Sequence, residues 1–470
     1  MSRTTCKVYY PTLDEFRSFQ SYLASIESEA AACGICKIVP PEGYWHSLGD
    51  MAKLCDPLGP FGATVIPGPT SQTVNGSRGI YEVQHVVQKS MTIRELFEKA
   101  KKTGHGVEGE DCLESKKGSR SLRGSRGSKD EKIARRFWQS LGSSSASLYG
   151  ADVPGVSLFE QFAFDEGCRE WFLHELSTDP LRKALARTDA PRMPGITEPM
   201  LYVGAWRALF AWHVEDVNLY SINIMHVGAP KSWYAVAAKD SDAFRDFAAE
   251  LFPTLASECR HFLQHKMSII SPEIAREKGD FDVFECVQKA GDIMITFPGA
   301  YHCGFNHGYN IAESTNFASP QWPKFGKSYG EPCTCRHDAV NIVVDDVAEA
   351  IETGDFDKVK IYDDVFSLDT DAKNKPSDDA PTLRKRGRPR KNDDNDIIAK
   401  TTPLKKKKKT PYRGGKSTHR RTQRCKTCDG CLAEDCGTCR FCLNMPKFGG
   451  SGAMKKPCLQ RRCLAIDYRK

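Results

Sequence analysis

Residues 210–236, FAWHVEDVNLYSINIMHVGAPKSWYAV, and 291–322, GDIMITFPGAYHCGFNHGYNIAESTNFASPQW, decide the fold. His213 and Glu215 stand two apart in an apolar, strand-like segment, where alternation sends both side chains to one face. His302 follows a second buried-looking strand at 293–298. Two imidazoles and one carboxylate on one face of an octahedron leave three positions open, the donor set by which non-haem Fe(II) takes a bidentate cosubstrate and O₂. Lys231, in PKSWY, offers an ammonium to the far carboxylate of a dicarboxylic cosubstrate, and Tyr149 offers a second donor. Ser221 and Asn223 lie on the strand leaving Glu215, placed for the carboxylate nearer the metal, with Phe210 as an apolar wall. The ordinary alternative for a His-x-Glu pair is an exposed ion pair.

Short strand patterns at 201–206, 267–270 and 281–287 surround these stretches, which predicts a β-barrel or jelly roll with helices outside. Ahead of it, 8–11 and 34–39 read as strands. Residues 12–27 read as a helix, with Thr12 and Glu15 as its capping box and Phe16, Phe19, Leu23 and Ile26 at helical spacing. Residues 80–87 alternate like a strand, and a capping-box pattern recurs at 92–99. Gly, Ser and charge fill 101–132, which predicts a mobile basic loop between two halves of one unit. Helix is expected at 133–141, mostly helix over 157–187, a helix capped by Ser241 with Phe244, Phe247 and Leu251 on one face, and partial helix at 343–353.

Residues 384–470 carry 26 Lys and Arg against seven Asp and Glu, a net +19 within a chain whose total is +7, so residues 1–383 carry −12. An acidic body suits a cationic partner and a basic tail suits nucleic acid, although single-sign faces also serve solubility alone. The chain has no apolar run of membrane-spanning length and no signal-peptide order at its N-terminus, and reads as soluble and intracellular.

Eight of the 19 cysteines crowd into the tail as Cys425, Cys428, Cys431, Cys436, Cys439, Cys442, Cys458 and Cys463. That spacing predicts two tetrahedral zinc sites, with the metals supplying most of the folding energy of so small a core. Arg386, Gly387, Arg388 and Pro389 form the core of an AT-hook for A·T-rich minor grooves; a nuclear-localisation signal or a plain charge run is the rival reading. Lys405–Lys409 adds salt-sensitive phosphate affinity.

The motifs HVE, SIN, PKSWY and YHCGFNHG, in this order, resemble the JmjC histone lysine demethylases of the JmjN-containing subfamily that acts on lysine 9 and lysine 36 of histone H3. The likeness covers roughly 7–340. VYYPTLDEF and KIVPPEGYW resemble its supporting JmjN segment. The fold implied is a mainly β double-stranded β-helix with helical additions. The resemblance implies Fe(II) at His213, Glu215 and His302, and 2-oxoglutarate at Tyr149, Phe210, Ser221, Asn223 and Lys231. It also implies a methyl-lysine pocket of Gly195, Tyr202, Glu215, Ser314 and Asn316, and a structural zinc at Cys259, His265, Cys333 and Cys335. By spacing alone those last four would be scattered core residues.

Small residues at 195 and 314 favour di- and trimethyl-lysine, which the implied reaction demethylates with O₂, releasing formaldehyde and succinate. Two positions depart from the family: Gly299-Ala300 stands for Tyr-Gly, and Cys303 for Ala. The tail, with KFGG at 447–450, resembles the CXXC finger for unmethylated CpG. That likeness joins Cys463 to Cys425, Cys428 and Cys431, and Cys458 to Cys436, Cys439 and Cys442. Lys455 and Lys456 fall on its base-reading loop, where Lys-Gln is common.

The expected organisation is JmjN at 7–48, a connecting region at 49–148, JmjC at 149–340, an acidic linker at 341–383, a basic linker at 384–424 and CXXC at 425–466. The expected partners are the histone H3 tail and DNA, and the expected compartment is the nucleus. A catalytically silent JmjC reader and a JmjC protein hydroxylase are the alternatives.

Overall fold

The computed structural model describes residues 4–355 apart from 43–47, 103–127, 144–145, 159–165, 175, 177–179, 186–192, 197, 331–332, 334, 336–339 and 341. Of the tail it describes 432, 434–435, 442, 445–449, 458 and 461. The chain divides into two units, Met1–Asp378 and Asp379–Lys470.

Besides a small antiparallel pair of Val65–Ile66 and Met91–Thr92, two large sheets build the first unit. The smaller runs Thr4–Thr5, Phe284–Gln288, Lys231–Val236, Tyr301–Asn306, Leu209–His213. The larger runs Ser268–Ile270, Ile80–Val87, Thr70–Ser77, Ser147–Pro154, Met200–Gly204, Asn310–Phe317, Tyr220–Gly228, Ile293–Thr296, Ile35–Ile38, Lys7–Tyr9. The N-terminal segment extends both: Thr4–Thr5 adds in parallel to Phe284–Gln288, and Ile35–Ile38 continues the larger sheet beside Ile293–Thr296.

Alternation along these strands sorts three layers. On the smaller sheet Tyr234, Val236, Tyr301, Cys303 and Phe305 face outward, where Phe137 and Phe244 of the helices Lys129–Ser140 and Ser241–Leu251 cover them. On the larger sheet Ile222, Ile224, Ile293 and Ile295 lie under Phe19, Tyr22, Leu23 and Ile26 of the helix Phe19–Ala31. Burying each such side chain contributes about 1.5–3 kcal/mol. Between the sheets, Ile35 and Met294 of the larger meet Trp233 and Ala235 of the smaller. Lys231 and His302 belong to that inner alternation, so the packing that closes the jelly roll also turns polar groups into its interior.

Several local expectations change. The helix expected at 12–27 is two, Leu13–Phe16 and Phe19–Ala31, because the Ser18 hydroxyl accepts from Ser21 N and starts a second helix. The loop expected at 101–132 is bounded by the helix Ile93–Lys102 and by Lys129–Ser140, which a Ser128/Glu131 capping box begins earlier than expected. Its remainder, 103–127, lies outside the described residues.

Over 157–187 the described residues hold only the 3₁₀ turn Glu166–Trp171 and the helix Pro180–Leu185. Trp171 reaches the core from the end of that turn, its indole donating to Phe16 O at 2.6 Å, and Leu173 and Leu176 reach it from irregular chain. Ser241 is the first helical residue rather than a cap, and Asp240 before it makes no side-chain capping bond. Among the described residues no helix is long and apolar enough to cross a membrane.

Candidate active site

Leu209 pairs with Phe305 and Phe210 with Gly304, yet His213 pairs with His302: three steps on one strand match two on the other. This bulge lets Ala211 and Trp212 both face the outer core, where the Trp212 indole donates to Ile270 O at 2.8 Å, and returns His213 to the inside. The expectation that one strand carries both His213 and Glu215 is corrected: the strand ends at His213. Glu215 follows in extended backbone, and Val217 and Asn218 take φ of 49° and 50° to reverse the chain into Tyr220–Gly228. A β-branched residue in that region is strained. Trp322 Nε1 donating to Val217 O at 3.1 Å and Asn218 Nδ2 donating to Phe325 O at 3.2 Å hold it.

The ligand atoms of His213, Glu215 and His302 all lie within 4.8 Å of one another. His302 Nε2 is 3.3 Å from Glu215 Oε1. His213 Nδ1 donates to Ala211 O at 2.7 Å and His302 Nδ1 to Ala300 O at 3.1 Å. A carbonyl only accepts, so each Nδ1 keeps a proton and each Nε2 faces the centre, the arrangement in which a metal takes the Nε2 lone pair. Burial, with His302 beside it, pushes His213 well below the usual imidazole range. Burial alone would raise Glu215, but His302 and then His213 beside it outweigh burial and hold the carboxyl low. Two imidazoles and one carboxylate fit Fe(II).

Lys231 is 2% exposed, its Nζ 5.6–6.0 Å from the ring centres of Trp233, Phe210 and Tyr202. Burial pulls its pKa down to about 7. Phe210 also stands 6.4 Å from the His302 ring, so the ammonium and the three ligands share one interior. From the larger sheet, Ser221 Oγ lies 3.3 Å from Ser314 Oγ, and Asn223 pairs with Ser314 in register. The Tyr149 ring lies 6.3 Å from Tyr202.

The Tyr202 hydroxyl donates to Asp152 Oδ1 at 2.8 Å. Asp152, at φ 55°, sits where Ser147–Pro154 slips register between Gly150 and Val153, and sequence reading missed it; GADVP after Tyr149 was its only signal. Gly195, at φ 81°, has its carbonyl bound by Asn316 N at 2.7 Å, and Asn316 Nδ2 donates to Tyr220 O at 3.1 Å. Cys303 faces the outer core and does not line the site. Gly299, at φ 71°, supplies the turn before His302.

Cys259, His265, Cys333 and Cys335 form a second cluster whose ligand atoms lie within 4.8 Å. Cys259 Sγ and Cys333 Sγ are 3.7 Å apart, and His265 Nε2 is 3.3 Å from Cys333 Sγ. An S–S edge near 3.8 Å follows from Zn–S bonds of about 2.3 Å in a tetrahedron, so the donors fit zinc.

In the second unit, taken by itself, Cys442 and Cys458 are buried and meet with Asp435 within the same span. Asp435 pairs with Lys447 and Arg461, whose charges hold its carboxyl low. Cys425, Cys428, Cys431, Cys436, Cys439, Cys463, Arg386 to Pro389, Lys455 and Lys456 lie outside the described residues.

Residues 200–317 match the JmjC domain, hydroxylase; residues 7–40 the jmjN domain; and residues 417–463 the CXXC zinc finger domain. Lysine-specific demethylase 4B of Mus musculus is 34% identical over 78% of this chain and 31% of its own length. Lysine-specific demethylase 4D of Rattus norvegicus is 32% identical over 82% of this chain and 69% of its own. Probable lysine-specific demethylase 4F of Homo sapiens is 32% identical over 78% and 52%. The chain thus spans about a third of the mouse relative and about half of the human one. With a JmjN segment extending the larger sheet, a JmjC jelly roll around the three candidate ligands and this likeness along most of its length, the chain belongs to the lysine-specific demethylase 4 family.

Proposed function

We propose that this chain is an Fe(II)- and 2-oxoglutarate-dependent demethylase of di- and trimethyl-lysine on histone H3, with lysine 9 the first candidate and lysine 36 the second. The observation that carries the reading is the meeting of two imidazoles and a carboxylate with the buried Lys231 amine inside one barrel. When bound, iron with 2-oxoglutarate and O₂ supplies the oxidation that removes an N-methyl group as formaldehyde.

The protein's part is geometric and electrostatic. His213, Glu215 and His302 hold the metal on one face. Lys231, with Tyr149, takes the far carboxylate of the keto acid, while Ser221 and Asn223 meet its nearer end and Phe210 walls off water. Gly195 and Ser314 leave room for a quaternary ammonium, and the oxygens of Tyr202, Glu215, Ser314 and Asn316 accept its weak C–H donors. Cys259, His265, Cys333 and Cys335 would hold a structural zinc.

Eight thiolates of the tail, Cys425, Cys428, Cys431 and Cys463 in one set and Cys436, Cys439, Cys442 and Cys458 in the other, would hold two more zinc ions and anchor the enzyme on DNA in the nucleus. Lys455 and Lys456 would reach guanine, and Arg386 to Pro389 an A·T-rich minor groove. A second Lys lacks the paired donor and acceptor of an amide, so DNA binding is expected to be firmer than CpG selectivity. Incubation of methylated histone H3 peptides with Fe(II) and 2-oxoglutarate tests the reading: loss of methyl mass with formaldehyde supports it, while added oxygen without demethylation indicates a protein hydroxylase, and no change a silent reader.

A further inference from the structure

The side-chain amide of Gln288 is fully buried, and its partners fix its polarity. Its Oε1 accepts from Trp233 Nε1 at 3.0 Å, and an indole N–H only donates. Its Nε2 donates to the main-chain carbonyls of Asn223 at 3.0 Å and Asp292 at 3.1 Å, which only accept. The amide therefore has one orientation. Its Nε2 also lies 3.1 Å from Asn223 Oδ1, so one of its two N–H is shared between that oxygen and the Asn223 carbonyl; a flipped Asn223 would set donor against donor, and its oxygen therefore faces Gln288. Among the described residues no acceptor takes Asn223 Nδ2, which is left to present two N–H. Gln288 pairs with Lys231 in register on the smaller sheet, while Asn223 belongs to the larger, so this bond crosses the interior beside the ammonium.

We propose that Gln288 is a positioning residue for the dicarboxylate cosubstrate: anchored by Trp233, it locks Asn223 as a donor, so that Asn223 and Lys231 both offer N–H to an anion. The inference rests on the proposed reading of this cavity as a keto-acid site. A carboxylate accepts only, and a flipped Asn223 would set an oxygen against it. Neither Gln288 nor Trp233 needs to touch the cosubstrate for this to hold.

The test is 2-oxoglutarate binding to the full chain loaded with Mn(II), read by calorimetry without turnover. Gln288→Met should raise Kd about tenfold, the scale of one charge-assisted hydrogen bond, while Mn(II) affinity is unchanged. In an Asn223→Ala background the same substitution should cost nothing further, which a merely structural role would not give. If Gln288→Met does not fold, the donor lock still predicts that Asn223→Asp binds 2-oxoglutarate more weakly than Asn223→Ala. Equal affinity of Gln288→Met and the parent chain, an equal loss in both backgrounds, or Asn223→Asp binding at least as well as Asn223→Ala would overturn the inference alone. A parent chain that binds no 2-oxoglutarate would overturn the reading of the cavity as well.

Discussion

His213 faces His302 directly across the antiparallel pair of Leu209–His213 and Tyr301–Asn306, and one extra residue after Phe210 makes it so. In a regular ladder Trp212 would oppose His302, and His213 would turn to the outer core. The bulge satisfies both demands, seating Trp212 against Phe244 and His213 at the centre.

His213→Ala leaves one imidazole and one carboxylate. It should weaken Fe(II), or Mn(II) in its place, by at least about 100-fold, more than a lost outer-shell partner costs. Calorimetric titration of metal checks this. Binding of the same variant to DNA should be unchanged.

Lys231 gives a pH signature. Its ordinary pKa is 10.5 and burial brings it to about 7, so between those values the unfolded chain binds more protons than the folded one. Stability of the cofactor-free protein should therefore rise with pH across that window. Lys231→Met, which removes the buried charge, should be the more stable variant at pH 7 by up to about 4 kcal/mol, and the difference should vanish above pH 10.5. Denaturant melts of both proteins over this range check it. Affinity for 2-oxoglutarate should move the other way, falling as pH rises above about 7 because the ammonium is lost.

Cys333 touches both Cys259 and His265. Cys333→Ser should release about one zinc per chain and lower the melting temperature by roughly 5 °C or more, since binding energy at a structural zinc is folding energy. Elemental analysis beside a thermal melt reads both.

Cys458, buried beside Cys442, should be required for full-strength DNA binding by the intact chain. For the parent chain, affinity for duplex DNA should fall by about 10³-fold or more between 50 and 200 mM salt if six or more phosphates are contacted. Cys458→Ser should leave only weaker binding by the basic linker, with a shallower salt slope. Fluorescence anisotropy against salt concentration measures the two slopes.

The jelly roll was legible because the inner and outer faces of its strands differ in chemistry, as at Lys231, Trp233 and Ala235 against Tyr234 and Val236. The meeting of His213, Glu215 and His302 was legible from residue type, but not its geometry: no pattern announces the bulge after Phe210 or the positive φ of Val217. Gln288 was invisible, since a buried glutamine in VQKAGD looks like any surface residue until Trp233 and Asn223 meet it across the barrel. Among the described residues of 157–187, Leu173 and Leu176 reach the core singly from outside any helix, a spacing that imitates a helical face.

The most direct test is mass spectrometry of a histone H3 peptide trimethylated at lysine 9, incubated with the Fe(II)-loaded full chain, 2-oxoglutarate and O₂, with His302→Ala alongside. The predicted result is stepwise loss of methyl groups, one formaldehyde and one succinate for each, and no reaction with the variant. Unchanged or merely oxygenated peptides, tried also with lysine 36 methylated, would contradict it.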